Sequence, residues 1–211
     1  MQGLLGEGGM IYGEKDNITE RIGMILIRIG VIGQSGEIPE ATCILAEEIG
    51  KEIALHGAIL LTGGTSGVMG AVSRGAKQAN GLVVGILPGD TLEVANEYID
   101  IPITTGLSFD YRSLILVHSS DVIIMIAGGN GTLGELSAAY LNRKPVVIVE
   151  ASGGWAARVR EMAYDGSYLD ERKWVKLDYA DTAKEAVDIA VSRIYKQEVP
   201  VCSVVSKVDN E

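Results

Sequence analysis

Two glycine-rich segments of the chain carry residues whose types and spacing suit phosphate binding. The first reads GGTSGVMG from Gly63, and the second reads AGGNGTLGE from Ala127 to Glu135. Each follows an apolar run and precedes a helical pattern, so the backbone N–H groups at a helix N-terminus would face a bound anion. Glycine lets the backbone approach a ligand closely because it has no Cβ. The predicted ligand-binding residues are Gly63, Gly64, Thr65, Ser66, Gly67, Gly128, Gly129, Asn130, Gly131 and Thr132.

The second segment also allows a dinucleotide interpretation. It contains G-x-G-x-x-G at Gly129, Gly131 and Gly134, and Glu150 closes the next apolar run at about the offset of a ribose-binding carboxylate. The late position of this unit in the chain, and the shortness of the helix that follows it, weigh against an NAD-type site. For the first segment, which lacks the Lys-Ser/Thr ending of a P-loop, a tight turn without a ligand is the alternative.

The charge balance and the cysteine count exclude several classes of function. The chain has 28 acidic and 18 basic residues, a net charge of −10, so a basic surface for nucleic acid is not predicted. Cys43 and Cys202 lie far apart without metal-ligand spacing, which predicts no metal site and favours a reducing, cytoplasmic location. No run reaches 18 apolar residues and no signal peptide is visible, so no membrane association is predicted.

The apolar runs alternate with helical patterns along most of the chain. Strands are predicted at 24–33, 58–62, 82–87, 98–103, 121–126, 145–149 and 174–177, with helices between them, including one near 155–164. Continuous apolar strands indicate burial on both faces, as in a parallel sheet covered by helices. We therefore expect a single Rossmann-like, doubly wound α/β domain at 23–197, preceded by a mobile leader (1–22) and followed by a loose tail (198–211).

The paired segments resemble the signatures of the lonely-guy (LOG), or "lysine decarboxylase-like", family, which are GG-x-x-x-GLMG and PGG-x-GT-x-x-E. The resemblance covers roughly residues 24–195, and it includes Arg112, which stands 16 residues before Gly128. It implies cleavage of the N-glycosidic bond of nucleoside 5′-monophosphates without a metal or a required cofactor, with Arg112 and Glu135 as catalytic residues. The lysine decarboxylase label is not transferred, because no pyridoxal-type lysine site is visible. The resemblance also implies a homodimer or a tetramer of dimers.

Three positions depart from the hydrolases of that family. Ala127 replaces the proline of the second signature, and Ser113 and Ile115 stand where the hydrolases carry a lysine and a carboxylate. This variant resembles the family's molybdenum-cofactor-carrier branch, whose members bind a phosphorylated pterin cofactor. The departures concern catalysis more than binding. An enzyme and a non-catalytic carrier or sensor are therefore both open, with an NAD-type protein less favoured.

Arg112 and Glu135 each have a structural alternative as well. Arg112 either contacts the phosphate or sugar of a ligand or forms an ion pair with Asp110 or Glu135. Glu135 either faces the ligand crevice or is a solvated acid in the first turn of a helix, where the helix dipole favours it. The predicted partner is a small phosphorylated ligand, either AMP-like or a molybdopterin-type cofactor.

Overall fold

The computed structural model describes residues 26–197, and the predicted leader (1–22) and tail (198–211) lie outside the described residues. The strands are β1 (Arg28–Gly33), β2 (Ile59–Thr62), β3 (Val83–Leu87), β4 (Ile101–Thr104), β5 (Val122–Ile126), β6 (Val146–Val149) and β7 (Leu177–Ala180). The α-helices are α1 (Glu40–Leu55), α2 (Val68–Gln78), α3 (Phe109–Ser119), α4 (Asn130–Leu141), α5 (Val159–Met162) and α6 (Ala183–Gln197). The 3₁₀ turns are Glu150–Ser152 and Ala156–Arg158.

These strands form one parallel sheet in the order β4-β3-β2-β1-β5-β6-β7. The chain winds outward from β1 to β4 and then returns to the other side of β1 at β5, so the strand order reverses there. The last residues of these two strands, Gly33 and Ile126, are paired. In open parallel sheets, ligands bind outside the carboxyl ends of the strands at such a switch point. The predicted Rossmann-like, doubly wound α/β fold is confirmed.

Helices cover both faces of the sheet and produce two apolar layers. Helices α1, α2 and α6 pack on one face, and helices α3 and α4 pack on the other. The interior strand β5 is fully buried, with Ile124 facing the first layer and Met125 facing the second. A strand with apolar residues on both faces reads as a continuous apolar run because helices cover both sides.

Several predicted elements have different bounds in the structure. Strand β4 begins at Ile101, and β7 covers Leu177–Ala180 where the sequence predicts 174–177. The backbone N–H of Trp174 donates to the Tyr140 hydroxyl instead of joining β6, so the apolar residues before Leu177 pack outside the sheet. The single helix predicted near 155–164 is a 3₁₀ turn followed by the short helix α5.

Candidate active site

A cleft of about 860 Å³ opens at the switch point of the sheet. Its walls come from the loop after β1, the start of α2, the first half of α3 and the first half of α4. The lining residues are Gly33, Gln34, Ser35, Met69, Phe109, Asp110, Tyr111, Arg112, Ser113, Leu114, Gly129, Asn130, Gly131, Thr132, Gly134 and Glu135. The second glycine segment, Arg112 and Glu135 are therefore brought together, as the sequence predicts.

The N-terminus of α4 forms one wall of this cleft. Gly129 is its N-cap residue, and neither a side-chain cap nor an acidic residue occupies its first turn. The first N–H groups of a helix have no acceptor within the helix, and its dipole favours anions at this end. Gly128 has φ +99°, and a Cβ there would lie 2.6 Å from the Thr132 side chain. The turn therefore needs glycine at 128 to present its N–H groups to the cleft.

Arg112 lies at the base of the cleft with only 3% of its surface exposed. Its Nε is buried without an acceptor among residues 26–197, and neither Asp110 nor Glu135 lies within ion-pair distance of it. The nearest aromatic contact is the Phe109 ring, 5.7 Å from Cζ. Burial lowers the pKa of the Arg112 guanidinium from its ordinary value, and the charge of Glu135 opposes this shift. The structural ion pair weighed in the sequence analysis is not formed.

Glu135 lies one turn inside α4 and lines the same cleft. Its side chain is half-buried, unlike the solvated first-turn acid considered above. Burial raises the pKa of the Glu135 carboxyl, while a hydrogen bond from Ser113 and the positive charge of Arg112 act in the opposite direction. The carboxyl therefore holds a proton more tightly than a solvated glutamate, although a cation lies nearby.

The first glycine segment supports this cleft from behind. Residues 63–67 are absent from its lining, although Met69 in the following helix contributes to it. A Cβ on Gly63 would lie 2.1 Å from Nη1 of Arg112, so glycine makes room for the guanidinium. Gly64 has φ +74° and packs against Leu87. Direct ligand contact by this segment stays a prediction.

The same segment also holds the loop after β1, which forms another wall of the cleft. The Ser66 hydroxyl accepts a hydrogen bond of 3.1 Å from the Gly36 backbone N–H. Gly67 has φ +67°, and a Cβ there would lie 2.5 Å from the Gln34 carbonyl oxygen. The Val68 N–H donates to that same oxygen at 3.0 Å. The glycine at 67 thus allows two loops to pack backbone against backbone.

A third segment, Ser152–Ala156, holds the second glycine turn in place, and the sequence analysis did not predict it. The Ser152 hydroxyl accepts a hydrogen bond of 2.6 Å from the Ala127 N–H. The Ala127 carbonyl accepts from the Ala156 N–H at 3.0 Å, and the Gly128 carbonyl accepts from the Trp155 N–H at 3.1 Å. The Gly153-Gly154 pair in the sequence is the signal that could have indicated such a close approach.

The backbone at Ala127 explains the first departure from the family signature. Ala127 has φ +48°, a left-handed conformation that is uncommon for residues other than glycine. Proline cannot adopt it, because its ring holds φ near −65°. Proline would also remove the N–H that donates to Ser152. Alanine at position 127 can adopt the backbone conformation of this turn, whereas the proline of the family signature cannot.

Glu150, the acid that would bind ribose in the dinucleotide interpretation, has a different role in the structure. Glu150 binds Arg160 through two hydrogen bonds, with an Nε–Oε1 distance of 2.8 Å and an Nη2–Oε2 distance of 2.5 Å. The Arg160 guanidinium stacks on the Tyr179 ring, 3.8 Å from its centroid. Glu150 is also absent from the residues that line the cleft. The carboxylate expected to bind ribose in an NAD-type site is thus in an ion pair.

The two other departures differ in their surroundings. Ser113 lines the cleft, and its hydroxyl acts to lower the pKa of the Glu135 carboxyl. Ile115 instead packs against the apolar layer under α3 and does not line the cleft. Only position 113 therefore replaces a charged group of the hydrolases on the cleft wall.

Two features are absent from the described residues 26–197. Within them, no group of three or more His, Cys, Asp and Glu side chains is arranged to hold a metal ion. None of their helices combines the length and the apolar character that a membrane span requires.

The fold and the cleft define a Rossmann-like α/β protein with a glycine-turn site at the switch point of its sheet. Residues 26–187 match the SLOG cluster4 family, so the chain belongs to that family. It is 32% identical over 155 residues to the cytokinin riboside 5′-monophosphate phosphoribohydrolase of Mycobacterium tuberculosis, an alignment that covers 68% of this chain and 82% of the relative.

Solved structures of two molybdenum cofactor proteins share the fold. The molybdenum cofactor binding protein of Rippkaea orientalis is 33% identical with a TM-score of 0.70, over 81% of this chain and 99% of the other. The molybdenum cofactor carrier protein of Chlamydomonas reinhardtii is 34% identical with a TM-score of 0.67, over 82% and 99%. The predicted membership of the LOG-like superfamily, close to its molybdenum-cofactor-carrier branch, is confirmed.

Proposed function

We propose that the protein binds a small phosphorylated, nucleotide-like ligand in the cleft, with the phosphate held between the N-terminus of α4 and Arg112. The observation that carries the proposal is the guanidinium of Arg112, which is buried without an ion-pair partner among residues 26–197. Leaving a buried charge uncompensated costs several kcal/mol in a folded protein. A ligand phosphate would compensate it, because arginine and phosphate form strong, charge-assisted hydrogen bonds.

The other elements around the cleft also favour an anionic, ring-containing ligand. The first turn of α4 offers backbone N–H donors on the other side of the cleft, without an acidic side chain to neutralise them. The cleft volume of about 860 Å³ lies within the range of small-molecule sites, which is roughly 300–1,000 Å³. Phe109 and Tyr111 are 54% and 65% exposed at the cleft and offer rings on which a base or pterin would stack.

Two functions are compatible with such a ligand. In the first, the protein is a phosphoribohydrolase, and Glu135 stabilises the positive charge that develops on the sugar. In the second, it carries or senses a phosphorylated cofactor, such as a molybdopterin-type cargo, without cleaving it. Ser113 favours the carrier, because it places an uncharged side chain on the cleft wall where the hydrolases have a lysine. Burial also raises the pKa of Glu135, so the carboxylate form that would stabilise a cationic sugar is less favoured than in a solvated glutamate.

We therefore propose ligand binding with weak or absent hydrolysis of common nucleoside monophosphates. Losing one preorganised electrostatic contact typically lowers the rate about a hundredfold or more. Phosphate affinity is expected to suffer less, since it depends on backbone donors and on Arg112.

The test measures binding and cleavage on the same protein. Isothermal titration calorimetry with AMP reports affinity, and release of adenine reports hydrolysis, in wild type and in Glu135→Ala. Glu48→Ala is the control, because Glu48 is an exposed acid on the opposite face of the sheet. Measurable AMP binding with little adenine release supports the proposal.

Two other results would change the assignment. Rapid adenine release that is lost in Glu135→Ala and kept in Glu48→Ala would identify an enzyme. Absence of nucleotide binding, together with tight binding of a pterin cofactor, would identify a dedicated carrier.

A further inference from the structure

A second, smaller cavity of about 290 Å³ lies at the opposite edge of the sheet. Pro145 immediately precedes β6 and Lys176 immediately precedes β7, so the cavity opens at the amino ends of these strands. It adjoins the carboxyl end of α4, whereas the cleft adjoins the N-terminus of that helix. A helix of 12 residues is about 18 Å long, so the two cavities are separate.

The charge of this cavity is opposite to that of the whole chain. Its lining consists of Arg143, Pro145, Trp174, Val175, Lys176 and Arg193, so all its ionisable lining residues are cations in a chain of net charge −10. Arg193 is bound by Asp178. Arg143 and Lys176 form no ion pair with any residue in the described range 26–197. Two exposed cations without an ion-pair partner in this range therefore line one small pocket.

The conformation of Arg143 is a second, independent feature of the cavity. Arg143 has φ +55° just after the end of α4, where glycine or asparagine is usual. A non-glycine residue in this conformation is strained, and such residues cluster at binding sites. Arg143 lines the cavity from this position, where glycine would place no charge.

Trp174 gives the cavity an apolar wall beside these cations. Two guanidinium groups lie over its ring, with Cζ of Arg143 5.1 Å and Cζ of Arg172 4.1 Å from the ring centroid. It is nevertheless 40% exposed, so part of the residue is accessible to a ligand. Arginine, lysine and an indole side by side suit a phosphate group attached to a small molecule.

We propose that this cavity is a second anion site, which binds the phosphate group of a small molecule independently of the cleft. Arg143 donates its paired N–H groups to the phosphate, and Lys176 supplies a point charge. The shared chemistry is the phosphate, which inorganic phosphate and a phosphomonoester both offer. If the indole also contacts the ligand, a nucleotide binds more tightly than phosphate alone.

The test uses Trp174 as the reporter. The chain has two tryptophans, so Trp155→Phe leaves Trp174 as the single one. Its fluorescence is titrated with inorganic phosphate and with AMP at constant ionic strength. We expect a saturable change with both ligands, and an affinity at least tenfold weaker in Arg143→Gln and in Lys176→Gln. Lys51→Gln, which removes an exposed lysine on α1, should leave the affinity unchanged.

Two additional variants make the result decisive. Arg112→Gln changes only the cleft, so it should leave the Trp174 response intact. This holds whether or not AMP binds to the cleft. Arg143→Gly is the second variant, because glycine readily adopts the left-handed backbone at this position. It serves if Arg143→Gln does not fold, and it should weaken binding equally. The proposal is overturned if the fluorescence does not saturate, if sodium chloride gives the same change, or if Arg112→Gln abolishes the response.

Discussion

The carboxyl of Glu135 and the guanidinium of Arg112 line the same cleft and influence each other's pKa, yet they form no ion pair. Arg112 comes from α3 and is buried, and Glu135 comes from α4 and is half-buried. Each charge is therefore only partly compensated in the free protein. This arrangement leaves the hydrogen-bonding capacity of Arg112 for a ligand, and it underlies the first two predictions.

Replacing Arg112 with glutamine should separate stability from binding. We expect AMP affinity to fall roughly ten- to hundredfold, because hydrogen bonds to a charged group contribute about 1.5–3 kcal/mol. The melting temperature should stay the same or rise, since the variant removes a buried and unpaired charge. Calorimetry and thermal unfolding measure the two effects, and Arg158→Gln, an exposed arginine, controls for loss of charge. A clear drop in melting temperature for Arg112→Gln alone would indicate a structural role.

The raised pKa of Glu135 predicts how stability depends on pH. The folded state holds this proton more tightly than the unfolded chain, so stability falls as pH rises from about the ordinary value of 4.5 through the raised pKa. Glu135→Gln cannot lose the proton and should become more stable relative to wild type across that window. Urea unfolding of both proteins from pH 4 to pH 8 measures the difference. A difference that is constant with pH would contradict the raised pKa.

Residue 127 should respond in opposite ways to proline and to glycine. Ala127→Pro introduces a ring that cannot adopt φ +48° and removes the N–H bound by Ser152, so we expect a loss of about 3 kcal/mol or more. Ala127→Gly relieves the left-handed conformation and should stabilise the fold by up to about 1 kcal/mol. Chemical denaturation of the pair measures both effects. Equal stability of the two variants would show that the left-handed turn is not formed.

The hydroxyl of Ser152 should matter for the phosphate turn. Ser152→Ala leaves the buried Ala127 N–H without an acceptor, which costs about 1–3 kcal/mol. Because that N–H fixes the turn before Gly128, we also expect weaker AMP binding. Ser192→Ala is the matched control, since its hydroxyl only donates to the Ile189 carbonyl within α6. Unchanged stability and affinity in Ser152→Ala would refute this role for the segment 152–156.

The protein is expected to form a homodimer or a tetramer of dimers. Apolar side chains along α3 are exposed in the single chain, with Phe109 at 54% and Leu114 at 43%. Light scattering at micromolar concentration measures the assembly, and Leu114→Glu should shift it towards the monomer. Leu55→Glu places the same charge on an exposed leucine of α1, on the opposite face, and should not. A monomeric wild type would contradict the prediction.

The sequence predicted the order of strands and helices well, because strands buried on both faces read as continuous apolar runs. It was less reliable at β7, where Trp174 and Val175 look like strand residues but lie outside the sheet. Apolar type alone does not show whether a side chain packs against a helix, a strand or a guanidinium group. The second glycine turn was likewise predictable, because glycines and a threonine between an apolar run and a helical pattern are typical of an anion-binding helix N-terminus.

What the sequence determined by itself is the parallel α/β fold, the glycine turn at the start of α4, and Arg112 and Glu135 as the charged residues to place beside it. Only the tertiary structure decided that Arg112 has no ion-pair partner among residues 26–197, that Glu150 binds Arg160, and that the segment 152–156 binds the turn through backbone and Ser152 hydrogen bonds. The physical reason is the distance along the chain over which each kind of interaction acts. Backbone propensities and apolar periodicity act over a few neighbouring residues, whereas ion pairing and burial depend on which distant segments the fold brings together.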